Sequence, residues 1–372
     1  MRRNKKQLSF VSKSVLFVNA VAILLLLLAY LAPFINPARF WPIAFFGLAY
    51  PFVLLLNALL VVFWLFRKPV YAFASLMAIL LGWKFLTSFI GFRESTAIEV
   101  PKSSPEFIRV MTYNVHSFKK FGSSNEEIIK YQMLNIIRKE QPDVICFQEF
   151  YTRQKGAYNF KKLIKEILHT EYMYFEPTTE NGFEAMGLAI FSKFPIKNKG
   201  DIRFSEKARG NEAIYADIKY RDQLFRVYNV HFQSIRFKPE DYEYLNQVKS
   251  DIKTDIRSPR RIASRLKRAF IKRSQQVKLV KAHTQNCETP YLIAGDFNDT
   301  PVSYTLNTMA SGMTNAFREK GSGLGVTYNG DFPNFQIDYI LSTPNFKVKN
   351  FRIVDKKLSD HYAVRADLEL DK

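Results

Sequence analysis

Polar side chains that could bind a cation and a phosphate stand at the ends of several apolar stretches of this sequence. The set comprises Asn114, Glu149, His231, Asp296, Asn298, Asp338, Asp360 and His361. Each one alone has an ordinary structural explanation, because Asp and Asn commonly form turns and caps where a strand ends. The set as a whole is more informative than its members, because all of them occur at predicted strand boundaries.

The side-chain types indicate a particular chemistry. The hard oxygen ligands suit Mg²⁺ or Mn²⁺ rather than zinc, and they comprise the carboxylates of Glu149, Asp296 and Asp360 and the amide oxygens of Asn114 and Asn298. Histidines titrate near neutral pH, and a neighbouring Asp can fix the tautomer of a His. This inventory matches metal-assisted hydrolysis of a phosphate ester, in which a carboxylate activates water and cations stabilise the developing charge.

The elements that must position these side chains alternate between strands and helices. FIRVMTYN at 107–114 reads as a strand, helical spacing follows at 126–139, and DVICFQEF is the next strand. Further strands are predicted at 187–192, 213–220, 224–231, 291–296, 337–342 and 364–370, and a long helical region at 241–286. Such alternation, with polar loops at the strand ends, predicts a layered α/β domain.

The segment before this domain is of a different kind. From Val15 to Phe92 there are four basic and no acidic residues, and three apolar runs cover about 15–35, 41–66 and 70–92. Each is close to the ~20 residues that a helix needs to cross a bilayer. We therefore predict an anchor of three membrane spans in residues 1–92, a linker at 93–106, and an α/β domain at 107–372.

The distribution of lysine and arginine predicts the orientation of the anchor. The N-terminus and the second connection carry seven basic residues, whereas the first connection and the stretch after the third span carry four. By the positive-inside rule the N-terminus is cytoplasmic, and three spans then place residues 93–372 outside the cytoplasm.

At this point the sequence resembles the endonuclease/exonuclease/phosphatase superfamily, which includes deoxyribonuclease I. The resemblance covers about residues 107–370 and rests on motifs in the family's order: MTYNV, DVICFQE, GLAIFSKFPI, NVHFQS, AGDFNDTP, IDYIL and SDHYAV. It implies a four-layer α/β/β/α sandwich and Mg²⁺-dependent (or Mn²⁺-dependent) cleavage of phosphoesters. The membrane tether resembles a bacterial branch of the family, which implies a multi-pass protein of the bacterial cytoplasmic (inner) membrane.

The resemblance also implies roles for individual residues. Glu149 matches the principal metal ligand, with Asn114 beside it and Asp360 as a second carboxylate on the metal side. Asp296 matches the residue that orients or deprotonates the attacking water, and Asn298 the one that binds the phosphate.

The remaining roles fall on the histidines and on one further position. His361 matches the histidine that contacts the scissile phosphate, with Asp338 as its orienting carboxylate. His231 matches a second catalytic histidine, and Glu184 is its suggested acidic partner. His116 is a departure, because repair nucleases of this family carry an acidic residue there; this argues against a DNA-repair role.

Substrate and partners remain open at this level. Residues 249–281 hold twelve basic side chains, which suit a solvated helix face, anionic lipid headgroups or a nucleic-acid backbone. A membrane anchor favours a lipid-linked phosphoester or pyrophosphate as substrate. The alternatives are a nuclease acting on DNA or RNA and, from another class, a catalytically silent membrane scaffold. The sequence indicates a lipid bilayer as partner and gives no indication of a protein partner.

Overall fold

The computed structural model describes residues 9–93, 102, 104–118, 126–205, 209–235, 237–241, 243–244, 257–330 and 333–371. Most of the predicted linker at 93–106 lies outside these ranges, as does 245–256 of the predicted helical region at 241–286.

Two long apolar helices begin the described chain. Helix α1 spans Phe10–Leu31 and, after the short helix α2 (Pro37–Phe40), helix α3 spans Pro42–Arg67. Their most apolar windows have mean hydropathies of 2.6 and 2.3, and both helices are long enough to cross a membrane. The Asn57 amide donates to the carbonyl oxygen of Ala22 across the helix pair at 3.0 Å. Such a bond stabilises helix association where no water is available.

The third predicted span is not one straight helix. Helices α4 (Pro69–Leu81) and α5 (Trp83–Phe89) meet at Gly82 with a bend of 71°. A Cβ at Gly82 would overlap the ring of Tyr30, so glycine permits the close approach of α1 at the bend. Residues 9–93 therefore contain two candidate spans, or three if the bent pair crosses as one. Strand β1 (Ile90–Phe92) follows and pairs with a later strand, so the end of the predicted span at 70–92 is extended chain.

Two six-stranded sheets form the rest of the structure. The first has the order β13-β14-β2-β3-β5-β4, and the second β10-β12-β9-β8-β7-β6. The first sheet consists of β2 (Ile108–Asn114), β3 (Val144–Arg153), β4 (Tyr172–Glu180), β5 (Glu184–Ser192), β13 (Phe346–Val354) and β14 (Ala363–Leu370). The second consists of β6 (Ile196–Arg203), β7 (Glu212–Tyr220), β8 (Gln223–His231), β9 (Tyr291–Asp296), β10 (Thr314–Asn315) and β12 (Asp338–Ser342). Strand β11 (Ser322–Leu324) is the partner of β1.

Helices cover the outer face of each sheet. Helices α6 (Glu126–Glu140) and α7 (Phe160–Leu168) pack on the first sheet through a shared apolar cluster. Helices α8 (Arg257–Gln285) and α9 (Tyr304–Ala310) pack on the second, and the short α10 (Ala316–Lys320) adjoins its edge. A third cluster fills the space between the sheets. This order of layers confirms the predicted α/β/β/α sandwich.

The centres of the two sheets bring strand ends to one place. Strands β2 and β3 are parallel, with Asn114 opposite Gln148, and β8 and β9 are parallel, with His231 opposite Asp296. The antiparallel strand β12 begins with Asp338 directly opposite Asp296. Carboxyl ends of parallel strands lie at the same edge of a sheet, so polar residues from both sheets converge at one edge of the sandwich.

The anchor packs against the same edge. Val302, four residues after Asn298, is buried in an apolar cluster with α1 and α3 residues such as Leu26 and Tyr50. A Cβ at Gly47 of α3 would overlap the carbonyl oxygen of Val302. The loop that follows β9 is therefore held against the two long apolar helices.

Candidate active site

A cleft of about 190 Å³ opens at this edge of the sandwich. Seven of the eight residues singled out in the sequence line it: Asn114, Glu149, His231, Asp296, Asn298, Asp360 and His361. The eighth, Asp338, lies behind His361 and contacts its ring. The structure thus brings together all eight residues, which come from five strands and two loops.

Asp296 is the most buried carboxylate that lines the cleft, with 1% of its surface exposed. Its Oδ1 accepts from the backbone N–H of Asn298 at 2.8 Å, and its Oδ2 accepts from the side-chain amides of Asn114 and Asn298 at 3.1 and 3.0 Å. Burial raises the pKa of Asp296 to about 6. The positive charge of His361 lowers this pKa, and the negative charge of Asp338 raises it further. Such a carboxylate can accept a proton near neutral pH.

The backbone around Asp296 explains the GDFN residues. Gly295 has φ +151°, and a Cβ there would overlap the carbonyl oxygen of Val230 on the neighbouring strand. Asn298 has φ +53°, a left-handed conformation that Asn tolerates better than most residues. Its side-chain amide also donates to the carbonyl oxygen of Phe232 at 3.0 Å, which fixes its position beside Asp296.

His361 is held by Asp338. The His361 Nδ1 lies 3.0 Å from Asp338 Oδ2, and its Nε2 lies 3.8 Å from Asp296 Oδ2. Burial alone would lower the pKa of His361, but the negative charges of Asp338 and Asp296 outweigh burial and raise it well above its ordinary value. The two carboxylates therefore favour the cationic form of His361, whose Nε2 faces the cleft carboxylate.

Glu149 occupies a strained position in β3. It has φ +51°, and the pairing of β3 with β5 shifts register between Phe147 and Phe150. A bulge of this kind redirects a side chain, here toward the cleft. Burial alone would raise the pKa of Glu149, but the hydrogen bond from His116 and the charges of His231 and His116 lower it to about 2.

His231 has an unsatisfied ring nitrogen. Its Nε2 is buried and has no hydrogen-bond partner among the residues that the structure describes, although it lies 3.6 Å from Asp296 Oδ2 and 3.9 Å from Glu149 Oε1. Buried polar atoms are normally hydrogen-bonded. An orphaned nitrogen between two carboxylates is what a bound phosphate oxygen or water would satisfy.

The donor set fits a hard divalent cation. His116 Nδ1 lies 3.4 Å from Glu149 Oε2 and 3.7 Å from Asp360 Oδ1, so these two carboxylates face a common space beside Asn114. Oxygen donors of this type suit Mg²⁺ or Mn²⁺. Asp296, Asp338 and His361 also place ligand atoms within 4.8 Å of one another. The imidazole is engaged there by Asp338, and carboxylate and imidazole in hydrogen-bond contact form an orienting pair rather than a cage.

Two residues in or beside the cleft were not among the predicted site residues. His116 contacts Glu149, and it lies in a loop where His116, Ser117 and Phe118 all have positive φ. Arg273 of α8 is 1% exposed and donates to Asp299 Oδ2 at 3.1 Å and to the Gln233 carbonyl at 3.0 Å.

A sequence signal for Arg273 existed, because it lies three residues after Phe270 on the apolar face of the helix.

By contrast, the suggestion that Glu184 is the acidic partner of His231 is wrong. Glu184 stands opposite Arg153 at the start of β5 and accepts a hydrogen bond from the Tyr151 hydroxyl. The carboxylates beside His231 are Glu149 and Asp296.

The far wall of the cleft is apolar. Leu48 of α3 lines it, together with Ile235, Phe237, Leu266, Phe270 and Phe335 from the sandwich. Phe45 packs edge-to-face on Phe270 at 5.3 Å between ring centroids, and Phe52 on Phe335 at 6.3 Å. One face of an anchor helix, positions 45, 48 and 52, therefore forms part of the cleft and its support.

Comparison with known families agrees with this geometry. A family model described as the endonuclease/exonuclease/phosphatase family matches residues 111–361, which is more than half of the chain. A second model, described as a domain of unknown function, matches residues 12–89. A search of curated proteins finds no match.

Solved structures share the fold of the sandwich. An endonuclease/exonuclease/phosphatase from Bacteroides vulgatus is 19% identical with a TM-score of 0.52, and the match covers 71% of this chain and 99% of that one. A family protein from Leptotrichia buccalis is 17% identical with a TM-score of 0.51, covering 71% and 100%. A third, from Beutenbergia cavernae, is 18% identical with a TM-score of 0.50, covering 72% of each chain.

Proposed function

Because the chain belongs to the endonuclease/exonuclease/phosphatase family, whose members are metal-dependent phosphoester hydrolases, we propose that it cleaves a phosphoester or pyrophosphate bond of a lipid-linked substrate with Mg²⁺ (or Mn²⁺). One observation carries the lipid part of this proposal: the catalytic cluster and a residue of a membrane helix, Leu48, line the same cleft. In this proposal residues 1–92 are the anchor and 107–372 the catalytic domain.

Glu149, Asp360 and the amide oxygen of Asn114 would hold the cation. When bound, it polarises the phosphoryl oxygens and neutralises charge that develops on them. Glu149 suits this role because its low pKa keeps the carboxylate ionised at any physiological pH. Asp360 is half-buried and faces the same space.

Asp296 would orient the attacking water and take its proton. Its carboxylate is fixed by three hydrogen bonds from Asn114 and Asn298, and its pKa of about 6 leaves it largely ionised at pH 7. The protonated His361 would donate from Nε2 to a phosphoryl oxygen, with Asp338 holding its ring. The orphaned Nε2 of His231 would contact the phosphoryl group from the other side.

The apolar wall would accept the lipid. Ile235, Phe237, Leu266, Phe270 and Phe335 form a surface that a nucleotide would not require. An acyl or polyprenyl chain that packs on such a surface gains about 25 cal/mol of binding free energy per Å² of apolar area buried. Because α3 is part of the wall, a lipid could enter from the bilayer without leaving an apolar environment.

The family and the anchor also bear on location. Apolar helices near the N-terminus associate the chain with a membrane. We propose the bacterial cytoplasmic (inner) membrane, with the N-terminus inside and the catalytic domain outside, on the basis of the seven-to-four excess of basic residues. A reporter that is active only in the cytoplasm, fused after Lys372, should be silent; an active reporter would contradict this orientation.

The surplus of basic side chains in α8 favours a nuclease as the second candidate. One assay separates the candidates: the purified full-length protein is offered plasmid DNA, RNA, phosphatidyl and sphingo-phosphodiesters, and polyprenyl pyrophosphates, with Mg²⁺ and with EDTA. We expect Mg²⁺-dependent release of product from a lipid. Cleavage of DNA without lipid turnover would overturn the lipid proposal, and no turnover of any substrate would favour a silent scaffold.

Leu48 provides a direct test of the apolar wall. Replacing Leu48 with alanine is expected to raise KM for a long-chain lipid substrate about fivefold, because about 1 kcal/mol of apolar contact is lost. The KM for a short-chain analogue should change less than twofold. Leu55→Ala, at an exposed position of the same helix, is the matched control. Equal KM values for the two variants would show that the substrate chain does not contact α3.

A further inference from the structure

Helix α8 presents two different faces to two cavities. Leu266, Phe270 and Arg273 line the catalytic cleft. The neighbouring face lines a second cavity of about 140 Å³, which we call the basic chamber; its lining residues are Gln233, Ser234, Ile235, Arg265, Arg268, Ala269 and Lys272. Since Ser234 and Ile235 line both cavities, the chamber lies directly beside the cleft.

The charge of the basic chamber is one-sided. Of the seven lining residues that the structure describes, three are cationic and none is acidic. Arg265 forms an ion pair with the buried Asp241 at 2.9 Å, and Asp241 is shared with Arg261. Within the described ranges, Arg268 and Lys272 form no ion pair, and both are exposed. The chamber therefore offers two uncompensated cations to an anionic ligand.

The position of α8 indicates where that ligand comes from. Helix α8 packs against α2, the short helix between the two long apolar helices. The Lys267 ammonium lies 4.7 Å above the ring of Trp41, which precedes α3. Tryptophan and lysine at the end of an apolar helix are typical of the membrane–water interface. With α1 and α3 as membrane spans, this part of α8 would lie at the level of lipid headgroups, where phosphate is the prevalent anion.

We propose that the basic chamber binds a lipid phosphate group other than the one cleaved in the catalytic cleft. The proposal rests on the proposed function in placing lipid at the cleft. Arg268 and Lys272 would donate charge-assisted hydrogen bonds to this phosphate. Two sources have the same chemistry: a second phosphate of the substrate, as in a lipid pyrophosphate, or the headgroup of a neighbouring anionic phospholipid.

A binding measurement tests the chamber without turnover. The full-length protein in neutral detergent with EDTA is titrated with dioctanoylglycerol pyrophosphate, as wild type, as the double variant Arg268→Glu/Lys272→Glu, and as Lys278→Glu. Lys278 is an exposed base on the same helix that does not line the chamber. We expect the Kd to rise about tenfold or more in the double variant, the effect of losing one or two charge-assisted bonds, and to change less than twofold in Lys278→Glu.

Two further arms distinguish the sources of phosphate. If the double variant loses less affinity for dioctanoyl phosphatidic acid than for dioctanoylglycerol pyrophosphate, the substrate supplies the second phosphate. If KM for lipid hydrolysis rises in the double variant only in micelles that contain phosphatidylglycerol, a neighbouring lipid supplies it. Either result supports phosphate binding in the basic chamber. Equal Kd and KM values for the double variant and for Lys278→Glu would overturn the proposal.

Nucleic acid provides the remaining outcome. If charge reversal at Arg268 and Lys272 weakens binding of a single-stranded oligonucleotide but leaves lipid binding unchanged, the chamber belongs to a nucleic-acid surface and the proposal is wrong. The binding measurement does not depend on the proposed activity. If the wild-type protein hydrolyses no lipid, the proposed function is contradicted, but the Kd values still test phosphate binding in the basic chamber.

Discussion

Replacing Glu149 with glutamine is expected to lower kcat by about 10³-fold or more while the protein remains folded. The substitution keeps the volume and shape of the side chain but removes the ionised carboxylate proposed to hold the cation. Loss of a well-placed cation removes several kcal/mol of transition-state stabilisation, and each 1.36 kcal/mol is a factor of ten in rate. Steady-state kinetics on the substrate found in the panel, with Mg²⁺ varied, measure the effect.

The matched control is Glu166→Gln on the exposed face of α7. It removes the same charge far from the cleft, so its kcat should stay within twofold of wild type. Direct metal binding, measured by equilibrium dialysis with Mn²⁺, should weaken in Glu149→Gln alone. Normal kcat and normal Mn²⁺ binding in Glu149→Gln would remove Glu149 from the proposed metal site.

Replacing His361 with asparagine is expected to lower kcat by about 10²- to 10⁴-fold, the usual contribution of a positioned acid or base. The variant keeps a hydrogen-bonding group opposite Asp338 but loses the cation that faces Asp296. Circular dichroism and thermal unfolding check that the fold is retained. A kcat within tenfold of wild type would show that His361 does not act on the substrate.

Asp338→Asn tests whether Asp338 acts through His361. The raised pKa of His361 means that its cation stabilises the folded protein fully below its unfolded pKa, and this contribution is lost as pH rises through the folded value. Without the negative charge of Asp338, the folded pKa of His361 falls. The alkaline limb of the rate profile should therefore move to lower pH.

A double variant completes the test of this pair. Since Asp338 is proposed to act only through the imidazole, Asp338→Asn/His361→Asn should be no slower than His361→Asn alone. Strictly multiplicative effects would show that the two residues act separately.

Much of the architecture can be predicted from the amino-acid sequence. Alternating apolar strands and amphipathic helices predicted the layered α/β domain, and the motifs predicted the sandwich, because strand and helix periodicities are local properties of the chain. The first two membrane helices were predicted to within several residues for the same reason. The third was predicted as one span at 70–92, and the bend at Gly82, where the ring of Tyr30 from another helix approaches closely, was not predicted.

In the candidate active site, too, some features follow from the sequence and others only from the tertiary structure. The types of Glu149, Asp296 and His361 and their places at strand ends are sequence properties, and they determined the expected chemistry. Their distances depend on two parallel strand pairs that meet at one edge and on register, which places His231 and Asp338 opposite Asp296.

By itself, then, the sequence determined the class of chemistry, the layered fold and the presence of an apolar anchor. Only the tertiary structure decided that Leu48 of the anchor lines the catalytic cleft and that the bases of α8 divide between the buried Arg273 and the chamber residues Arg268 and Lys272. The physical reason is that these contacts join segments that are distant in sequence. Leu48 and Phe270 share an apolar cluster although they lie more than 200 residues apart, and Arg273 bonds to groups 26 and 40 residues away. No local periodicity records such contacts.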